Sequence, residues 1–234
     1  MATNPRPRPA GKRSQPNLRF RIRVMRDDAI ALGPGKIDLL EAVREHGSIS
    51  AAARSMNMSY RRAWLLMDEL NQRKAVVFVH PSALPGNAIP GLPAYVADFL
   101  LDSVRAAVNL CRSGTMDRCP DIKFILSHGG GFLPFAAARV ALHASPKRKL
   151  DDGIRLLRRF YFDTALASSQ FAMPSLLAFA DPTHVTYGSD FPYAPPAAGT
   201  MFTRALDAYR NADHDAINRG NVGLLFPRLA NRAA

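Results

Sequence analysis

Three residues able to bind a metal or move a proton occupy equivalent places in this sequence. His80 closes the apolar run Val76-Val-Phe-Val79, His128 follows Phe124-Ile-Leu-Ser127, and Asp190 follows Val185-Thr-Tyr-Gly-Ser189. Each run reads as a short strand, so each polar residue stands at a strand's C-terminal end. When parallel strands alternate with helices in a barrel, those ends converge on one mouth. His, His and Asp brought together there could bind or serve a divalent metal. A lone histidine at a strand end is more often structural than a ligand, but three at equivalent places favour a site.

The elements that must position them follow from the hydrophobic pattern. Ala75-Val-Val-Phe-Val79 is continuously apolar, as expected of a parallel strand covered on both faces. Lys123–Ser127, Phe160–Phe162 and Val185–Tyr187 are further short strands, and Ala94–Ser113, Leu133–Ala144, Ser169–Ala180 and Met201–Ala212 are amphipathic helical stretches. This alternation predicts a parallel α/β sheet with right-handed crossovers, either open or part of a barrel.

Before Gln72 the texture is different. Residues 1–16 carry Arg6, Arg8, Lys12 and Arg13 with four prolines and no acidic residue, a composition that predicts a disordered basic arm. Leu18, Phe20, Ile22 and Val24 then alternate with Arg19, Arg21 and Arg23, the period-2 pattern of a strand with one buried face. Gly33-Pro-Gly35 punctuates the chain before Ile37, Leu39, Leu40 and Val43, which continue at helical spacing to His46 and Gly47. Ser48 and Ser50 are candidate caps for a short second helix through Met56. Ser59 can cap a third through Tyr60, Ala63, Trp64, Met67 and Leu70.

Two helices separated by Met56-Asn-Met58 have the spacing of a helix-turn-helix. Small Ala52 and Ala53 permit close approach, while Ile49, Met58, Ala63 and Leu66 fill the wedge. Ser59, Tyr60, Arg61 and Arg62 at the start of the third helix would then face outward, able to meet the phosphates and base edges of double-stranded DNA.

Bulk properties agree with both halves. The chain has 234 residues, 47% of them hydrophobic, enough for a sizeable core in one large domain or two modest ones. A net charge of +12 and a pI near 10.4 favour a polyanionic partner. Cys111 and Cys119, with no signal peptide ahead of them, predict a reduced cytoplasmic protein. No apolar run approaches the roughly 20 residues that span a bilayer, so no membrane partner is expected.

Two resemblances sharpen this picture. Gly47-Ser-Ile-Ser-Ala-Ala-Ala53, Met58-Ser-Tyr60, Ala63-Trp64 and Met67-Asp-Glu-Leu-Asn71 make residues 17–72 resemble the winged helix of the ModE molybdate-responsive regulators, grouped with the LysR-type units. That resemblance implies a DNA-binding domain of a transcription regulator. The family's Gly-rich wing after the third helix is absent, as are its molybdate-binding domains.

Residues 74–234 resemble the amidohydrolase-2 family, which includes aminocarboxymuconate-semialdehyde decarboxylase and related aromatic-acid decarboxylases. The motifs are His80-Pro81, Ser127-His-Gly-Gly-Gly131 with Leu133-Pro134, Phe162-Asp-Thr-Ala165, Tyr187-Gly-Ser-Asp-Phe-Pro192, Ile217-Asn-Arg-Gly-Asn221 and Leu225-Phe-Pro227.

This second resemblance implies strands five to eight of a (β/α)8 TIM-type barrel. It implies His80 as a metal ligand, His128 as the residue that activates water or shuttles a proton, and Asp190 as ligand or base. Neutral imidazole and carboxylate suit Zn or Mn. Asp163 reads as a hydrogen-bonding strand-end residue rather than a ligand. The family's first-strand His-x-His pair is missing, and no glutamate follows Glu69. Four strands cannot close an eight-stranded barrel, so the sheet edge predicts a homo-oligomer.

The whole chain therefore reads as a ModE-like DNA-binding domain fused to the C-terminal half of a metal-dependent amidohydrolase or decarboxylase. One alternative is an active hydrolase or carboxy-lyase for a small carboxylate or aromatic acid, assembled by oligomerisation. The other is a fusion or truncation product without a joint function.

Overall fold

A computed structural model of the protein describes residues 24–26, 29–32, 34–46, 49–84 and 89–230. The basic arm and most of the alternating Leu18–Val24 stretch lie outside them. An antiparallel pair, β1 (Val24–Arg26) and β2 (Ala29–Leu32), leads into three helices: α1 (Pro34–His46), α2 (Ile49–Ser55) and α3 (Tyr60–Gln72). The hairpin partner β2 was not legible in the sequence. After α3 the chain enters β3 (Val76–Val79) within three residues, and among the described residues no wing-like hairpin follows α3.

From β3 onward strands and helices alternate. α4 (Ala94–Arg112) and a one-turn α5 (Thr115–Arg118) precede β4 (Lys123–Leu126), and α6 (Leu133–Ala144) and α7 (Leu150–Leu157) precede β5 (Tyr161–Asp163). α8 (Met173–Phe179) leads to β6 (Val185–Thr186), followed by α9 (Pro196–Ala208), α10 (Asn221–Leu225) and α11 (Pro227–Ala230). The sheet order is β3-β4-β5-β6, all parallel, with Val79 opposite Leu126 and Asp163 opposite Thr186. This register brings the C-terminal ends of all four strands to one side.

Some helices differ from their sequence reading for identifiable reasons. α8 begins four residues later than expected because 169–172 form a turn, in which Ser169 Oγ accepts the Ala172 N–H, and Pro174 suits only the helix's first turn. α9 begins five residues earlier, started by the prolines at 195 and 196. α7 was missed because Gly153 interrupts its apolar pattern. A Cβ at Gly153 would run into the Ala141 carbonyl, so the glycine lets α7 lie tightly against α6.

The three N-terminal helices are built as their apolar spacing requires. Ala63, Trp64, Met67 and Leu70 form the buried stripe of α3, and Ser59 Oγ accepts the Arg62 N–H as its N-cap. That stripe joins Leu39, Val43 and Ile49 in a hydrophobic core that continues into Val104, Ala107, Leu110, Phe124, Phe160 and Phe162 of the α/β unit. Polar clasps reinforce the junction. The Arg118 guanidinium lies 3.3 Å from the Trp64 ring centroid, and Asn71 Oδ1 accepts the Asp121 N–H at 2.8 Å.

The two outer edges of the sheet differ. Among the described residues β3 has no neighbouring strand on one side, whereas at β6 the Val185 carbonyl accepts from Asn221 Nδ2 at 2.7 Å and the Tyr187 N–H donates to the Ile217 carbonyl at 2.8 Å. The terminal motif thus covers the β6 edge. Leu225 packs with Ile125 and Tyr161, with Phe226 and Val76 alongside. No helix among the described residues is long and apolar enough to cross a membrane.

His184 introduces β6 and stacks on Tyr161 at 3.9 Å, its Nδ1–H shared between the Arg158 and Phe160 carbonyls. Burial pushes its imidazolium pKa below the usual value, against Asp181, which favours the charged form. The folded state therefore resists protonation. This stability is present above the unfolded value of about 6.5 and is lost as pH falls through the lower folded value. His184→Asn, which keeps a donor, is expected to flatten part of the fall in melting temperature between about pH 7 and pH 5. An unchanged slope in thermal melts would remove His184 as a cause.

Candidate metal centre

The three strand-end residues do converge. One donor atom from each of His80, His128 and Asp190 lies within 4.8 Å of the others. The two imidazole Nε2 atoms are 3.3 Å apart, and His80 Nε2 is 3.9 Å from Asp190 Oδ1.

Both rings are held from behind. His80 Nδ1–H donates to the Pro81 carbonyl at 2.8 Å, and His128 Nδ1–H donates to the Ala165 carbonyl at 3.1 Å. A neutral imidazole with its proton on Nδ1 carries a lone pair on Nε2, so two lone pairs and a carboxylate face one point. Burial also pushes the His128 pKa down, favouring its neutral form, although Ala165 and Asp190 pull the other way. Facing lone pairs repel unless a proton or a cation lies between them. Two imidazoles and one carboxylate match the three-ligand sets of catalytic sites that keep an open position, so these residues fit Zn²⁺ or Mn²⁺.

The backbone is bent to achieve this. His128 (φ 55) and Asp190 (φ 60) both lie in the left-handed region, at a cost of about 1–3 kcal/mol each. A short 3-10 turn at His128–Gly130 follows β4, and at Gly131 (φ 66) a Cβ would strike the Leu100 carbonyl. The glycine run lets the turn pass beneath α4.

Asp163 at the end of β5 turns its carboxylate to backbone donors. Its Oδ1 accepts the N–H groups of His128 at 2.7 Å and Ala165 at 3.1 Å, so it orients the His128 backbone. Burial pushes its carboxyl up to about 7 despite those donors.

The site opens into a cleft of about 690 Å³ walled by Phe78, Ile125, Tyr187, Phe191 and Tyr193, with no Lys or Arg among its described lining. These aromatic walls escaped the sequence reading. The available signal was that Tyr187, Phe191 and Tyr193 flank Asp190. Phe99, whose ring meets His80 edge-on at 5.8 Å, gave no signal because it lies on a different helix.

The expected DNA-contacting residues form a separate group on the first turn of α3. Ser59 is engaged as the cap, Tyr60 is 55% exposed with its ring edge-on to Trp64 at 6.0 Å, and Arg61 and Arg62 are exposed.

The parallel sheet gathers His, His and Asp beyond the C-terminal ends of its strands, as the strands of a β/α barrel do. The chain is a member of the amidohydrolase family, which it matches over residues 39–221. The match starts inside α1 and so takes in α2 and α3.

Among similar proteins, the Aspergillus niger decarboxylase yanB is 41% identical over 182 residues, covering 70% of this chain and 49% of that protein. The 6-methylsalicylic acid decarboxylase of Penicillium expansum is 37% identical over 180 residues, covering 73% of this chain and 55% of that protein. The chain thus spans about half the length of these curated relatives.

A crystal structure of an amidohydrolase II superposes with a TM-score of 0.62 at 30% identity, covering 68% of this chain and 54% of that one. A dihydroxybenzoic acid decarboxylase from Polaromonas with bound manganese and 2-nitroresorcinol superposes at 0.58 with 19% identity, covering 73% of this chain and 55% of its own, a likeness of fold.

Divalent ions should stabilise the protein through this site. At free Mn²⁺ or Zn²⁺ about 100 times the dissociation constant, the gain is about 2.7 kcal/mol, readable as a rise in melting temperature. His80→Ala and Asp190→Ala are expected to lose that rise, and an equal rise in both variants would place the ion elsewhere.

Proposed function

We propose that this protein is a metal-dependent carboxy-lyase for a small aromatic acid. The observation that carries this reading is the His80–His128–Asp190 cluster at the mouth of an aromatic-walled cleft. Its likeness to fungal decarboxylases, one acting on 6-methylsalicylic acid, supports the substrate class.

The chemistry of the lining agrees. With no Lys or Arg among the described lining, an acid substrate would need a bound cation to meet its carboxylate, while Phe78, Phe191 and Tyr193 offer faces for a ring. His80 and Asp190 would hold the ion, beside His128. The ion would supply positive charge for the carboxylate and its neighbouring oxygen. When the ring–carboxylate bond breaks, CO₂ leaves and the electron pair stays on the ring carbon, which must take a proton. His128, whose Nε2 lone pair faces that space, would take up a proton from solvent in the open cleft and pass it to the carbon.

Phe191 and Tyr193 are 84% and 86% exposed, and among the described residues no strand pairs with the outer edge of β3, so the reading includes a second copy closing the cleft. Manganese-loaded protein is expected to convert 6-methylsalicylate to its decarboxylated phenol while sedimenting as an oligomer. His128→Ala or Asp190→Asn should reduce the rate by about 10²–10⁴-fold. No turnover of hydroxylated benzoates with either metal sinks the lyase reading, and full activity in a monomer sinks the assembly.

A second reading concerns α3, whose capped first turn presents exposed Tyr60, Arg61 and Arg62 away from the core it shares with the sheet. Such a turn can dock into a major groove, giving a DNA-binding role beside the lyase. Gel shifts across a salt series are expected to show binding that weakens with salt, and Arg61→Ala with Arg62→Ala should lower the slope by about 2. Absence of a shift at low salt, where phosphate contacts are strongest, removes this reading.

A further inference from the structure

A second polar network lies beside the His80 loop, at a separate cavity of about 400 Å³ lined by Arg44, Ser82, Asp102, Arg105 and Asn109, among others. Asp102 Oδ2 on α4 accepts from Arg44 Nη1 of α1 at 2.8 Å and from the Ser82 backbone N–H at 2.9 Å. Arg44 Nη1 also donates to Ser82 Oγ at 3.0 Å. Three separate parts of the chain thus meet at one carboxylate.

The Ser82 N–H belongs to the same peptide unit as the Pro81 carbonyl, and that carbonyl takes the His80 Nδ1–H at 2.8 Å. A peptide unit is planar, so holding its N–H fixes the direction of its C=O. Phe99, one helical turn before Asp102 on α4, meets the His80 ring edge-on. α4 therefore braces His80 twice: through the ring directly, and through the peptide that selects its tautomer.

We propose that Asp102, paired with Arg44, is a positioning residue for His80. The carboxylate clamps the Pro81–Ser82 peptide, the peptide keeps the His80 proton on Nδ1, and Nε2 is left bare toward His128 and Asp190. Arg44 holds the Asp102 carboxylate in place and offsets its charge, so an N-terminal helix contributes to the quality of a site built at strand ends. The proposal rests on reading His80, His128 and Asp190 as the metal centre.

Two measurements on the full chain separate the proposal from that reading: Mn²⁺ or Zn²⁺ affinity by calorimetry, and the His80 tautomer in metal-free protein from ¹⁵N imidazole spectra, with His80→Ala as the affinity floor. Asp102→Ala is expected to weaken metal binding by about 10–100-fold and to lose the pure Nδ1–H form of His80. Arg44→Ala should move both readouts the same way, and Arg44→Lys should recover part of the loss. Ser82→Ala keeps the clamped N–H and loses only the Arg44–Oγ bond, so both shifts should be smaller than in Arg44→Ala.

If Asp102→Ala does not fold, Asp102→Asn takes its place, with a smaller shift in the same direction. Wild-type affinity together with an unchanged tautomer in folded Asp102 variants overturns the proposal. If the wild type binds no metal while Asp102→Ala still disturbs the tautomer, the positioning role stands and the metal reading falls.

Discussion

Two imidazoles whose Nε2 atoms face each other, with a carboxylate beside them, form a site that calls for positive charge. The 3.3 Å separation of His80 and His128 Nε2 is imposed from behind, by carbonyls that claim both Nδ1 protons. Neither ring can turn its proton inward without giving up that bond. Much of the local architecture serves this one arrangement. The left-handed backbone at His128 and Asp190 spends stability where the site needs unusual directions, and Asp163 is buried at the cost of a raised pKa to anchor the His128 peptide.

The sheet supplies the coarse placement. Parallel strands in register deliver residues from β3, β4 and the segment after β6 to one rim, although they lie far apart in the chain. Fine placement comes from α4, which is central to the packing. It contributes to the common core, lies over the glycine turn after His128, and presents Phe99 and Asp102 to the His80 loop. Through the Arg44–Asp102 pair it also receives α1.

The N-terminal helices consequently have two aspects. One face of α3 continues the hydrophobic core of the α/β unit, while its first turn stays exposed and basic. Membership of the amidohydrolase family covers the α/β half and begins within α1.

The sequence by itself determined where residues able to do chemistry stand along the chain. The run-then-polar pattern at His80, His128 and Asp190, the β-α alternation and the Ser59 cap are local signals, set by hydrophobic periodicity and capping within a few residues. Helix starts slipped at Ser169 and Met201, where turn and proline chemistry outweighed periodicity, and Gly153 hid α7 because its reason is a neighbouring helix.

Only the tertiary structure decided the rest: that the three residues share one point, that both imidazoles keep their protons on Nδ1, that Asn221 and Ile217 cover the β6 edge, and that Phe99, Asp102 and Arg44 stand behind His80. Each depends on atoms far apart in sequence meeting in a particular direction. Residue type can suggest such partners, but only packing selects them.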